Sequence, residues 1–87
     1  MAQPVTVYST SICPYCVRAK QLLTQKGIAF EEINLDKHPE QRMDVMKRSG
    51  RRTVPQIWVG ETHVGGFDDL WALDRAGKLD PLVAGEA

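Results

Sequence analysis

A short β-branched run, Val5-Thr6-Val7-Tyr8-Ser9, is followed five residues later by Pro14, and the only two cysteines, Cys13 and Cys16, flank that proline. The run reads as a buried strand. Proline suits the first turn of a helix, where its missing N–H costs nothing. The chain must therefore pass from strand to helix across residues 10–13, and both thiols fall at that junction. A strand feeding straight into a helix commits the chain to layered α/β packing.

The remaining sequence continues the alternation. The first helix is expected to run to about residue 26, with Cys16, Ala19 and Leu23 on one face, and Gly27 stops it. Residues 29–34 read as a second strand. Turn chemistry over residues 36–39 leads into a helix that reaches about residue 49, carries Met43 and Met46 inward, and ends at Gly50. Residues 56–59 and 62–64 flank Gly60-Glu61, a two-residue hairpin turn. Gly65-Gly66 opens a last main helix over residues 67–76, closed by Gly77, and residues 79–83 add one short turn. The expected architecture is one domain over residues 1–87, β-α-β-α-β-β-α. Its first three elements form a right-handed parallel unit, and the hairpin adds antiparallel strands to a mixed four-stranded sheet flanked by helices.

Eleven Lys and Arg balance eleven Asp and Glu in 87 residues. A neutral chain lacks the phosphate-neutralising charge on which a nucleic-acid binder depends. No apolar run approaches the ~20 residues of a membrane span. The first residues lack the basic and then apolar regions of a secretory signal, so a reducing cytoplasm is the expected setting. There, two close cysteines point to catalysis or metal binding rather than to a structural staple.

Cys13 at the strand–helix junction faces the unpaired N–H groups and partial positive charge of the first helical turn, which favour a thiolate. Cys16, one turn inside on the apolar face, is more enclosed and stays protonated longer. One sulfur attacks and the other resolves. Two thiolates would also make half of a tetrahedral zinc site. No third cysteine exists, and His38 and His63 lie on other elements without paired ligand spacing, each expected as a solvated loop residue. A redox couple without metal is the stronger reading.

Three further stretches bear on a ligand. In "RRTVPQIW" Pro55 must stand at a strand entry. A trans Val54–Pro55 bond is the ordinary state there, and a cis bond would free the Val54 N–H and C=O to pair with an extended peptide. "GGFDD" sets two glycines at a helix start, which can present N–H groups to a carboxylate, with Asp68 beside them to hold an ammonium. The same residues also make an ordinary turn and cap. Among the basic residues 42–52, Lys47 and Arg48 fit a solvated helix C-terminus, whereas Arg42 and Arg52 are better placed to meet a ligand carboxylate.

"CPYC", "TVP" and "GGFDD", in this order and spacing, resemble the small bacterial dithiol glutaredoxins of the thioredoxin-fold superfamily. The likeness runs from Val5 to Leu82 and includes "AKQLL", "KRSGRRTVPQI" and "LDPL". It implies a thioredoxin-like fold and a glutathione-dependent disulfide oxidoreductase, with Cys13 as nucleophile and Cys16 as resolving thiol. It also implies a cis Pro55 facing the cysteines and a glutathione groove formed by Tyr15, Arg42, Thr53, Val54, Pro55, Gly66, Phe67 and Asp68. In that groove Val54 pairs with the cysteinyl backbone, and the Phe67 and Asp68 N–H groups meet the γ-glutamyl carboxylate. Asp68 takes the ammonium, and Arg42 takes the glycine carboxylate. The implied partners are glutathione and disulfide-bonded or glutathionylated proteins, met by a monomer.

The chain departs from the family at two positions: Thr10 stands where a lysine is common, and Phe67 where a small residue is common. Two rivals follow from the same residues. One is a glutaredoxin-like protein reduced by a thioredoxin reductase. The other is a binding module holding an iron–sulfur cluster between two copies, which the stiff Pro14 turn disfavours.

Overall fold

The computed structural model describes residues 2–85. Its sheet is built from β1 (Val5–Ser9), β2 (Glu31–Asn34), β3 (Gln56–Val59) and β4 (Thr62–Gly65). In space the order is β2-β1-β3-β4. β1 and β2 are parallel, so α1 (Pro14–Gln25) must cross between them, and β1–β3 and β3–β4 are antiparallel. This is the mixed four-stranded sheet that the sequence predicts. α2 (Arg42–Ser49) follows a 3₁₀ turn at Pro39–Gln41, and α3 (Phe67–Arg75) and α4 (Leu79–Ala84) complete the chain. None of the helices in the described residues is long and apolar enough to cross a membrane.

The period-two alternation of β1 and β3 divides the core between the two faces of the sheet. Val5, Val7, Ile57 and Val59 point to one face, where Ala19 and Leu23 of α1, Leu70 of α3 and Leu79 of α4 cover them. Each of those leucines is fully buried, a gain of about 1.5–3 kcal/mol over exposure. Tyr8 and Trp58 point to the other face, against Leu35 and Val45 of α2. Lys26, at the C-cap of α1, bridges Asp74 of α3 at 2.6 Å and Asp80 of α4 at 3.2 Å. The Asp74 carboxylate first, and Asp80 after it, raise the Lys26 pKa.

Two local expectations are corrected. α2 turns Val45 inward and leaves Met43 60% exposed, with Met46 half-buried. Positions 43 and 45 lie about 200° apart on a helix, so seating Val45 against Tyr8 and Trp58 expels Met43. The C-terminal segment forms a six-residue helix rather than a single turn, and its Leu79 is part of the main core.

Candidate active site

Cys13 is the N-cap residue of α1, with extended backbone (φ −152°, ψ 99°), and Pro14 opens the helix. The Cys16 backbone N–H donates to Cys13 Sγ over 3.2 Å. Cysteine thus fills the role that Ser or Asp usually takes, accepting an N–H that the helix cannot pair internally. Cys13 and Cys16 are joined as a disulfide, with their Cα atoms 5.2 Å apart. Cys16 is 1% exposed, on the same face as Ala19 and Leu23, whereas Cys13 is only partly covered. Ile12, beside Cys13, is 93% exposed.

The junction is braced from beneath. The buried Ser9 hydroxyl donates to Glu32 Oε2 at 2.7 Å, and Lys20 of α1 meets the same oxygen at 2.8 Å. Lys20 first and Ser9 second hold the Glu32 carboxyl below its ordinary range. Ahead of Cys13, the Ser11 N–H donates to Asp36 Oδ2 at 2.8 Å, and Arg42 reaches the other oxygen of Asp36 at 3.2 Å. That backbone N–H is the main reason the Asp36 carboxyl is acidified.

Opposite the thiols, the Val54–Pro55 peptide is cis. Cys13 Sγ lies 3.6 Å from the Val54 carbonyl oxygen, within reach of a thiol donating to it in the reduced form. Val54 and Pro55 form one wall of a groove of about 180 Å³, which continues over Thr53 and Arg51 to Tyr15 and the start of α3 at Gly66–Asp69. The Tyr15 ring tilts against Phe67, with centroids 6.4 Å apart, and the Arg18 guanidinium lies 5.4 Å over the Tyr15 ring. Phe67 thus builds the groove's apolar side with Tyr15.

At the start of α3, Gly65 has φ 118°, and a Cβ there would run into the Asp69 carboxylate. Asp69 Oδ2 accepts the Gly66 N–H at 2.9 Å and the Arg51 guanidinium at 2.8 Å. Arg51 first and Gly66 second keep the Asp69 carboxyl below its ordinary value. Asp69 is therefore committed, while Asp68 is exposed at the groove.

Of the residues that the sequence singles out, the structure gathers Tyr15, Thr53, Val54, Pro55, Gly66, Phe67 and Asp68 around this one groove. Arg42 is held at Asp36 instead, and the cation in the groove wall is Arg51. Asp69 was legible as the third helical residue after Gly66, a position where an acid reaches back to cap N–H groups. No sequence signal marked Arg51 over its basic neighbours.

One residue expected as a solvated loop position, His63, is built into the fold. His63 belongs to β4, is half-buried, and stacks on Trp58 with centroids 4.6 Å apart. Desolvation first, then the nearby Arg51 cation, lower its pKa. Arg48, exposed in the last turn of α2 as the sequence predicts, also lies 4.5 Å over the Trp58 ring and donates to the Tyr8 hydroxyl at 3.3 Å. Each covers the aromatic pair Tyr8–Trp58, whose rings meet edge to face.

Comparison with known proteins agrees with this architecture. The family model described as glutaredoxin matches residues 5–64. A glutaredoxin of Pseudomonas aeruginosa is 60% identical over 81 residues, covering 93% of this chain and 96% of its own. Glutaredoxin 3 of Escherichia coli is 52% identical over 79 residues, covering 91% of this chain and 95% of its own. Among solved structures, the buckwheat glutaredoxin–glutathione complex superposes with a TM-score of 0.89 at 34% identity, over 95% of this chain and 78% of that one. The solution structure of glutaredoxin from Brucella melitensis gives 0.87 at 49% identity, over 99% and 94%. With its thioredoxin-like sheet and its paired cysteines at a helix N-terminus, the chain belongs to the glutaredoxin family and is a thiol–disulfide oxidoreductase.

Proposed function

We propose that the protein reduces protein disulfides and glutathione mixed disulfides through its Cys13-Pro14-Tyr15-Cys16 dithiol, with glutathione as the reductant. The observation that carries this reading is the juxtaposition of Cys13 at the N-terminus of α1 with the Val54-walled groove, 3.6 Å away at the carbonyl. The buckwheat relative, solved as a glutathione complex, adds support.

Cys13 attacks as thiolate, its charge met by the Cys16 N–H and the first turn of α1. With a glutathionylated thiol, Cys13 attacks the glutathione sulfur, a Cys13–glutathione disulfide forms, and the substrate thiolate leaves and takes up a proton. A second glutathione thiolate attacks that disulfide, which frees Cys13 and releases oxidised glutathione. With a protein disulfide, Cys13 first bonds one substrate sulfur and expels the other as thiolate. Cys16 then attacks Cys13 Sγ, closes the pair and releases the second substrate thiol. Two glutathione molecules, becoming one oxidised glutathione, reopen the pair.

In the groove the Val54 backbone pairs with the cysteinyl unit of glutathione. Thr53, Pro55 and Gly66 shape the walls, and Tyr15 covers the thiol end. The Phe67 and Asp68 N–H groups receive the γ-glutamyl carboxylate, and the Asp68 side chain receives the ammonium. The glycine carboxylate goes to Arg51, which lines the groove, since Arg42 must first give up Asp36 to reach it. The exposed Ile12 and Tyr15 offer an apolar rim to a protein substrate. We place this activity in a cytoplasmic monomer that needs no metal. The test is glutathione-coupled turnover of a mixed disulfide by the wild type and by Cys13→Ser: the wild type turns over and the variant does not. Turnover that persists in Cys13→Ser, or that needs no glutathione, rejects the proposal.

A further inference from the structure

Gln56, the first residue of β3, is 0% exposed, yet its side chain is polar. Burying an amide is tolerated only when its hydrogen bonds are made. Here Gln56 Nε2 donates to the Thr53 carbonyl at 2.9 Å and lies 3.2 Å from the Thr53 hydroxyl. A carbonyl can only accept, so the amide nitrogen faces Thr53 and Oε1 faces the other way. Oε1 meets His63 Nε2 at 2.7 Å. An amide oxygen can only accept as well, which puts the imidazole hydrogen on Nε2. The network has one consistent direction, from His63 through Gln56 to Thr53.

Each end of it is fixed differently. His63 is held by its stack on Trp58, directly across the β3–β4 pair. Thr53 begins the Thr53–Val54–Pro55 wall of the groove, where Val54 faces Cys13. Thr53 lies outside regular secondary structure. Among the described residues, its hydrogen bonds are those from Gln56.

We propose that Gln56 and His63 are a positioning pair, which sets the Thr53–Val54 wall at its working distance from Cys13 by clamping the Thr53 carbonyl to β3 and β4. Neither side chain touches the substrate. The inference rests on the glutathione groove proposed above for its kinetic readout, but not for its structural one.

The test compares Gln56→Met, which keeps length without hydrogen bonds, with His63→Phe, which keeps a stacking ring without the N–H. His63→Gln is the rescue variant, since its amide N–H reaches about as far as the imidazole Nε2. In folded Gln56→Met and His63→Phe, the KM for a glutathionylated peptide rises about five- to tenfold while kcat stays within about twofold, the pattern of lost binding rather than lost chemistry. Backbone ¹⁵N order parameters of Thr53 and Val54 fall below the rigid range near ~0.85. His63→Gln restores both. A role in stability alone would lower the melting temperature and leave KM and the order parameters in place, and that result overturns the proposal. So does failure of His63→Gln to restore them, which would show that an N–H donor at position 63 is not what holds Thr53. If Gln56→Met does not fold, the two His63 variants decide. A wild type idle with glutathione removes the proposed function, and the order parameters then decide the clamp by themselves.

Discussion

The starts of α1 and α3 solve one problem with opposite chemistry. Both helices leave N–H groups unpaired and carry partial positive charge beside the one groove. α1 has no acid in its first turn and takes its cap from Cys13 Sγ. α3 begins at Gly66, which has no side chain to offer, and carries Asp68 and Asp69 in its first turn. A permanent carboxylate near Cys13 would repel a thiolate, so the first helix leaves its positive end to sulfur. The second spends Asp69 on the Gly66 N–H and Arg51, and leaves Asp68 facing the groove. In the proposed function, one start favours a charge that appears during the reaction, and the other displays a fixed charge to the ligand.

The sharpest way to break this contrast is at sulfur. Cys13→Ser should abolish disulfide reduction altogether, measured as glutathione-coupled turnover. Cys16→Ser should keep removal of glutathione from mixed disulfides and lose most reduction of protein disulfides, because its sulfur only resolves. Equal loss in the two variants on a mixed-disulfide substrate would erase the division between them.

A smaller effect is expected at the recognising helix. Asp68→Ala should raise the apparent KM for glutathione roughly five- to tenfold, a charged hydrogen bond moderated by solvent. Unchanged KM would place the ammonium elsewhere.

Asp69 sharpens the contrast through pH. Its folded pKa lies below the ordinary 3.8. The stability it contributes is therefore fully present above that value and is lost as pH falls through the lower folded value. Wild type should be more stable than Asp69→Asn at neutral pH, and the gap in urea midpoints should narrow below about pH 4. A gap that is constant down to pH 2 would mean that the Arg51 and Gly66 contacts do not depend on the charge.

The smallest effect concerns position 10. Thr10→Lys introduces a cation ahead of Cys13 and should move the midpoint of iodoacetamide alkylation of Cys13 to lower pH, by less than about one pH unit across exposed distances. Measured in Cys16→Ser, the shift should shrink as salt rises. A shift that ignores salt would show that position 10 acts by shape rather than by charge.

Much of the frame was legible because it is written locally. Pro14 and the glycines mark where elements begin and end, and the alternation in β1 and β3 marks their faces. The two cysteines and the TVP and GGFDD stretches name their own neighbourhoods. What stayed hidden depends on contacts between distant segments. Val45 rather than Met43 enters the core because of where Tyr8 and Trp58 sit across the sheet. Arg48 is claimed by a hydroxyl 40 positions away. His63 is half-buried because the β3–β4 register, with its irregularity at Ile57/Trp58, sets it opposite Trp58. Short motifs carry no information on register, so a histidine beside a turn and one stacked on tryptophan look alike.

The strand order β2-β1-β3-β4 has a further consequence for how copies of this protein meet one another. An open sheet ends in rows of unpaired backbone, which invite a neighbouring molecule to add its own strand. At one such margin, β2 begins with exposed Glu31 and Glu32. A second copy adding its own β2 to that margin would bring the two glutamates close to the same pair, and like charges facing across strands repel. At the margin beside β1, Glu31 and the same Glu32 that anchors Ser9 and meets Lys20 thus disfavour that mode of strand addition.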